Sequence, residues 1–171
     1  MVETIHAELG IPDTYAETSG LPHYAEPGAL VSAGPNIVGR EQQLTPATVA
    51  AWVAMVDAAA ADDVRLLLVS GFRSIDQQTR LIRKKLNAGK TIDQILRVNA
   101  APGFSQHHTG CAIDIATPGV RPLMLEFEET PAFAWLQTHT HSFGFSLSYP
   151  RDNPWGIDYE PWHWFYQEND A

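Results

Sequence analysis

Residues Cys111–Ala116, Cys-Ala-Ile-Asp-Ile-Ala, alternate like a strand and place an aspartate inside an otherwise apolar run. On such a strand Ala112, Asp114 and Ala116 share one face, while Cys111, Ile113 and Ile115 share the other. A carboxylate inside an apolar strand is costly unless it is paired or bound to a metal. Any fold of this chain must therefore bring a partner to Asp114. The small side chains of Ala112 and Ala116 leave room for one. The preceding segment, Ser105-Gln-His-His-Thr-Gly110, offers two histidines, and Gly110 allows a tight turn between His107 and the strand.

A second cluster is Tyr159-Glu-Pro-Trp-His-Trp164. Glu160 and His163 are three positions apart, so a straight strand would point them to opposite faces. A bend at Pro161 aims both at one point, inside an aromatic shell of Trp162, Trp164 and Phe165. Two neutral imidazoles and a carboxylate are the donor types a mononuclear catalytic zinc takes, with a further position open for water. Spacing alone leaves the alternatives open. His107 and His163 are either ligands or hydrogen-bonded core histidines, and Asp114 is either a ligand or the ion-pair partner of Arg73. Cys111 is the single cysteine, which rules out an internal disulfide and a cysteine-based zinc site.

The rest of the chain reads as mixed helix and strand. Residues 1–44 carry many turn formers, among them Pro12, Gly20, Pro22, Pro27, Gly28 and Pro35, and read as an extended arm with short strands packed on the domain. Residues 45–171 read as the domain that carries both clusters, and no linker separates the two. Thr45-Pro46 opens a helix whose buried face is Val49, Trp52, Val53 and Val56, ending near residues 60–63. Residues 65–70 (RLLLVS) read as a buried strand and Gly71-Phe72-Arg73 as a turn. A helix from Ser74 to about Asn87 buries Ile75, Leu81, Ile82 and Leu86, and leaves Arg80, Arg83, Lys84 and Lys85 as a solvated face. A short helix capped at Thr91, a helix over 131–143 and strands over 145–148 and 162–167 complete the pattern. Without regular alternation of strand and helix, this predicts an α+β fold.

The paired motifs carry a family resemblance. Ser-x-His-x-x-Gly-x-x-x-Asp over 105–114, followed by Glu-x-x-His over 160–163, resembles the LAS metallopeptidases, which include lysostaphin, D-alanyl-D-alanine peptidases and the hedgehog signalling domain. Ser70-Gly-Phe-Arg-Ser74 with Gln78, and Tyr159-Glu-Pro-Trp-His163, are similar to the VanY-type D-alanyl-D-alanine carboxypeptidase branch. The match runs from about Leu66 to Tyr166. It implies a small antiparallel sheet holding a zinc site and packed against helices. It also implies Zn2+ on His107, Asp114 and His163, Glu160 as general base, and substrate contacts from Arg73, Gln78 and Ser105. Two positions depart from the pattern: Gln106 stands where many relatives have Glu, and Phe165 where many have Arg.

The reaction implied is metal-assisted hydrolysis of a peptidoglycan stem peptide at its terminal D-alanine. The rivals are an L,D-carboxypeptidase, a D,D-dipeptidase, a cell-wall endopeptidase or phage-type lysin, and a zinc-containing binding module without hydrolysis. Glu160 argues against the last, since a binding module has no need of a base. A net charge of −9 argues against a nucleic-acid partner. No long apolar run is present, and the run around Leu66–Val69 is far too short to span a bilayer. The substrate implies the cell envelope or periplasm. The start, Met1-Val-Glu-Thr-Ile-His6, lacks the pattern of a signal peptide, which leaves a cytoplasmic or phage-released protein open. Oligomeric state has no signature.

Overall fold

The computed structural model describes residues 2–168. In chain order its elements begin with helices α1 (Val2–Leu9) and α2 (Tyr15–Ser19) and a hairpin of β1 (Val31–Pro35) and β2 (Glu41–Leu44). Then come α3 (Pro46–Ala61), β3 (Leu67–Ser70), α4 (Ile75–Asn87), α5 (Ile92–Leu96) and β4 (Ala112–Ala116). The chain closes with α6 (Pro131–His139), β5 (Phe145–Leu147) and β6 (His163–Tyr166). Single 3-10 turns cover Gln106–Thr109, Leu125–Glu129 and Thr140–Phe143. The fold is α+β, with β3-β4-β6-β5 forming one antiparallel sheet and the β1-β2 hairpin standing apart.

Local chemistry sets the helix starts. The Thr45 side chain accepts the Thr48 backbone N–H at 3.3 Å, and Pro46 occupies the first turn of α3. Ser74 with Gln77, and Thr91 with Gln94, form reciprocal capping boxes on α4 and α5. Each such cap stabilises its helix by about 1 kcal/mol.

The buried apolar residues form two cores. One joins α3, α6 and the sheet through Leu44, Met55, Leu68, Ile113, Phe127, Leu136 and Trp164. The face α3 buries is Thr48, Trp52, Met55 and Ala59, whereas Val53 is 50% exposed. The expected Val49-Trp52-Val53-Val56 face is thus rotated. The helix is apolar on most sides, so periodicity had little contrast from which to pick its inner stripe.

The other core joins the N-terminal segment to α4 and α5 through Leu9, Ile11, Tyr15, Leu21, Ile82, Ile95 and Phe104. The N-terminal segment is therefore not simply extended with short strands: α1 and α2 form in it, and Leu9 and Tyr15 are buried by residues distant in sequence. Its turn formers mark the breaks around those helices. The segment also clamps residues 101–103. Tyr15 Oη accepts the Ala101 N–H at 3.1 Å, the Tyr24 N–H donates to Gly103 O at 2.7 Å, and His6 Nε2 lies 2.8 Å from Pro102 O. No helix among the described residues is long and apolar enough to cross a membrane.

Candidate metal centre and active site

Sheet register does most of the assembly. Asp114 on β4 pairs with His163 on β6 and, across a bulge, with Ser70 on β3, so these side chains form one row across the sheet. His107 reaches the same point from the 3-10 turn before β4. That turn ends at Gly110 with φ +69, where an added Cβ would meet Leu30 Cδ2 at 2.8 Å. Only glycine suits that left-handed, crowded position. The ligand-type atoms of His107, Asp114 and His163 all lie within 4.8 Å of one another, and all three residues are buried.

The imidazoles are oriented from behind. His107 Nδ1 lies 2.7 Å from the Gly71 carbonyl, which only accepts, so this nitrogen donates and Nε2 keeps its lone pair. His163 Nε2 lies 2.8 Å from Gln106 Oε1 and Nδ1 lies 3.1 Å from Asp114 Oδ1; in the tautomer that donates to Gln106, Nδ1 keeps its lone pair toward Asp114. Those bare nitrogens face the two oxygens of Asp114, at 3.3 Å and 3.1 Å. In that arrangement lone pairs converge from three residues, a set that fits a cation among them. Burial lowers the His107 imidazole to a pKa of about 4, which keeps it neutral, as a ligand must be. Burial alone would raise the Asp114 carboxyl, but its contacts with His107 and His163 together hold it well below the ordinary carboxylate range.

Glu160 joins this group through the turn at Pro161-Trp162. The His163 N–H donates to Glu160 O at 3.2 Å, and the Glu160 N–H donates to Tyr149 O at 3.1 Å. The bend brings Glu160 Oε2 to 3.8 Å from His163 Nδ1. Burial, and then the charge of Asp114, raise the Glu160 carboxyl to about 8.

On the other side of the cleft, Arg73 Nη1 donates to Gln78 Oε1 at 2.8 Å, and Nη2 lies 3.5 Å from Ser70 Oγ. Gln78 is 1% exposed and its Nε2 donates to Ala100 O at 2.6 Å. Burial lowers the Arg73 guanidinium while Asp114 and Glu160 act in the opposite direction. Arg73 makes no ion pair with Asp114 among the described residues, which removes the structural-pair alternative. Ser105 accepts the His107 N–H at 3.3 Å and lines the cleft.

All seven residues singled out in the sequence, Arg73, Gln78, Ser105, His107, Asp114, Glu160 and His163, line one cleft of about 870 Å³. Tyr149, Lys85, Asn99, Leu123, Leu125 and Trp162 line it too. Tyr149 packs against the His163 ring at 4.9 Å between centroids. Trp162 faces the cleft while Trp164, 2% exposed, belongs to the core. Sequence reasoning missed the roles of Gln106 and Lys85. Gln106 immediately precedes His107. Lys85 lies seven residues after Gln78, on the same helical face, so it is not part of a fully solvated basic stripe. His108 is buried and donates to Arg73 O at 2.6 Å while accepting the Gly103 N–H at 3.1 Å, a structural tie between loops.

Comparison with known proteins agrees with this geometry. The family model for VanY, D-alanyl-D-alanine carboxypeptidase, matches residues 41–169. A D-alanyl-D-alanine carboxypeptidase of Enterococcus faecalis is 32% identical over 122 residues, 66% of this chain and 44% of the relative. The chain thus spans less than half the length of that relative. The solved structure of the LdcB LD-carboxypeptidase superposes with a TM-score of 0.73 at 31% identity, covering 85% of this chain and 71% of that one. The structure of a mutant of the vancomycin resistance D,D-pentapeptidase VanY in complex with Zn(II) superposes with a TM-score of 0.63 at 25% identity, covering 87% of each. With the family model spanning three-quarters of its length and the fold in agreement, the chain belongs to the VanY D-alanyl-D-alanine carboxypeptidase family.

Proposed function

We propose that the chain is a zinc-dependent carboxypeptidase that removes the terminal D-alanine of peptidoglycan stem peptides. The observation that carries this reading is the inward convergence of the bare His107 Nε2, the Asp114 carboxylate and the bare His163 Nδ1, with Glu160 beside them. These three residues would hold the metal, and their donor types and number fit a catalytic zinc. When bound, zinc lowers the pKa of its water to near neutrality and polarises the scissile carbonyl.

The chain's own groups do the rest. Glu160 takes a proton from the attacking water on its carboxylate and passes it to the leaving amine nitrogen. A nearby cation would counter the burial that raises Glu160 and favour the ionised form a base requires. Arg73 offers a planar fork to the terminal carboxylate, with Gln78 fixing its orientation and Ser105 adding a hydroxyl. Tyr149 and Trp162 wall the site and limit water. A cell-envelope location follows from this substrate.

A second reading is cleavage of an L,D bond, favoured by the overlap with the LdcB LD-carboxypeptidase. One experiment separates the two: mass spectrometry of pentapeptide and tetrapeptide stem substrates after incubation with the zinc-loaded protein. Loss of one alanine from the pentapeptide alone supports the first reading. Loss from the tetrapeptide alone supports the second, and no product from either rejects both.

A further inference from the structure

Helix α4 presents Gln78, Leu81 and Lys85 to the cleft, a stripe two turns long. Lys85 therefore lies about 10 Å further along the helix axis than Gln78. Helical side chains lean toward the N-terminus, so its ammonium reaches back toward the Arg73 side. Its only hydrogen-bond partner among the described residues is Asn99 Oδ1, which leaves two ammonium protons unused. The Asn99 amide nitrogen makes no hydrogen bond among the described residues and adds two more donors.

Two neighbouring cations are already paired. On α4 itself, Arg80 pairs with Asp76 at 2.6 Å and Arg83 with Glu8 at 3.2 Å. Asp158, the other acid at this end of the cleft, is held by Arg97 at 3.0 Å. Lys85 has no carboxylate within ion-pair distance among the described residues, although it is half-buried and the chain carries a net charge of −9. Burial, then Lys90 and Arg73, lower its pKa while Glu160 acts in the opposite direction, so an arriving anion would stabilise its charged form.

We propose that Lys85 and Asn99 form an anion subsite that takes a second carboxylate of the peptide, distinct from the terminal carboxylate assigned to Arg73. This rests on the peptidase reading and deepens it: the preferred substrate is acidic. Two sources present the same chemistry, an acidic side chain on the leaving residue or a carboxyl upstream of the scissile bond.

The test uses the full chain loaded with zinc and three peptides. One ends in D-alanine after a neutral stem, one replaces the leaving residue by D-glutamate, and one has an acidic residue upstream, with its amidated form as control. Lys85→Gln is expected to lose roughly ten- to a hundredfold in kcat/KM, mainly through KM, on one acidic peptide and little on the neutral one. Lys85→Arg is expected to restore most of that loss. The acidic peptide that responds identifies the source. Equal effects of Lys85→Gln on all peptides, or none on any, overturn the subsite and leave the peptidase reading standing. Cleavage of no peptide by the wild type overturns both.

Discussion

The two walls of the cleft are built in different ways. On one wall, Asp114 and His163 sit opposite each other on paired strands, and His107 and Glu160 flank them within seven residues of chain. On the other, Arg73, Gln78, Lys85 and Ser105 come from a turn, a helix and a loop. That loop is held down by Tyr15, Tyr24 and His6 from the start of the chain. The first wall is set by register, which a one-residue slip would destroy outright. The second is set by long-range packing and can shift by degrees. Damage to the first should therefore be all-or-none, and damage to the second graded.

The sharpest test of that contrast is His163→Ala. It should abolish both metal content and peptide cleavage, with the metal read by elemental analysis of chelator-free protein. Retention of a full equivalent of zinc would remove His163 from the ligand set.

Glu160→Ala comes next. It should keep the metal and lower kcat by about 10²- to 10⁴-fold, the loss expected on removing a general base. If metal content falls together with turnover, Glu160 is a ligand and not a base.

Arg73→Lys probes the second wall. It keeps the charge but loses the fork, with an expected loss on the order of 2–5 kcal/mol in transition-state binding. Measured kcat/KM should fall for free-acid peptides and barely change for C-terminally amidated ones. Equal cleavage of both peptides by the wild type would mean an endopeptidase.

The smallest effect is expected for Tyr15→Phe, which leaves the buried Ala101 N–H without its acceptor. Such a loss costs about 1–3 kcal/mol of stability. Thermal melting should show it, together with a modest rise in KM at unchanged zinc content. Lowered zinc content in this variant would mean that the two walls are not separately supported.

Legibility in the sequence follows the same division. The strand Ala112–Ala116 announced itself because an aspartate between isoleucines has few physical justifications. Pro161 announced the bend that brings Glu160 beside His163. Capping residues at Thr45, Ser74 and Thr91 placed three helix starts. The buried face of α3 was harder to read, since its apolar residues surround the axis. Helices α1 and α2 went unread, because short helices take their stability from tertiary burial and the prolines and glycines around them read as loop. Lys85 was hidden by its basic neighbours, although helical spacing from Gln78 pointed to the cleft.

The sequence by itself determined which chemistry was affordable. A buried carboxylate, histidines with a glycine turn and a lone cysteine leave few outcomes besides a nitrogen-and-oxygen metal site on an α+β frame. Tertiary structure alone decided the arrangement. It placed Ser70, Asp114 and His163 in one row across β3, β4 and β6. It turned the bare nitrogens inward by placing the Gly71 carbonyl and Gln106 behind the rings. It also left Lys85 in the cleft without an acidic partner among the described residues. The physical reason is range: strand alternation and caps are written within a few residues, whereas strand register, tautomers and the pairing of charges depend on groups tens of residues away.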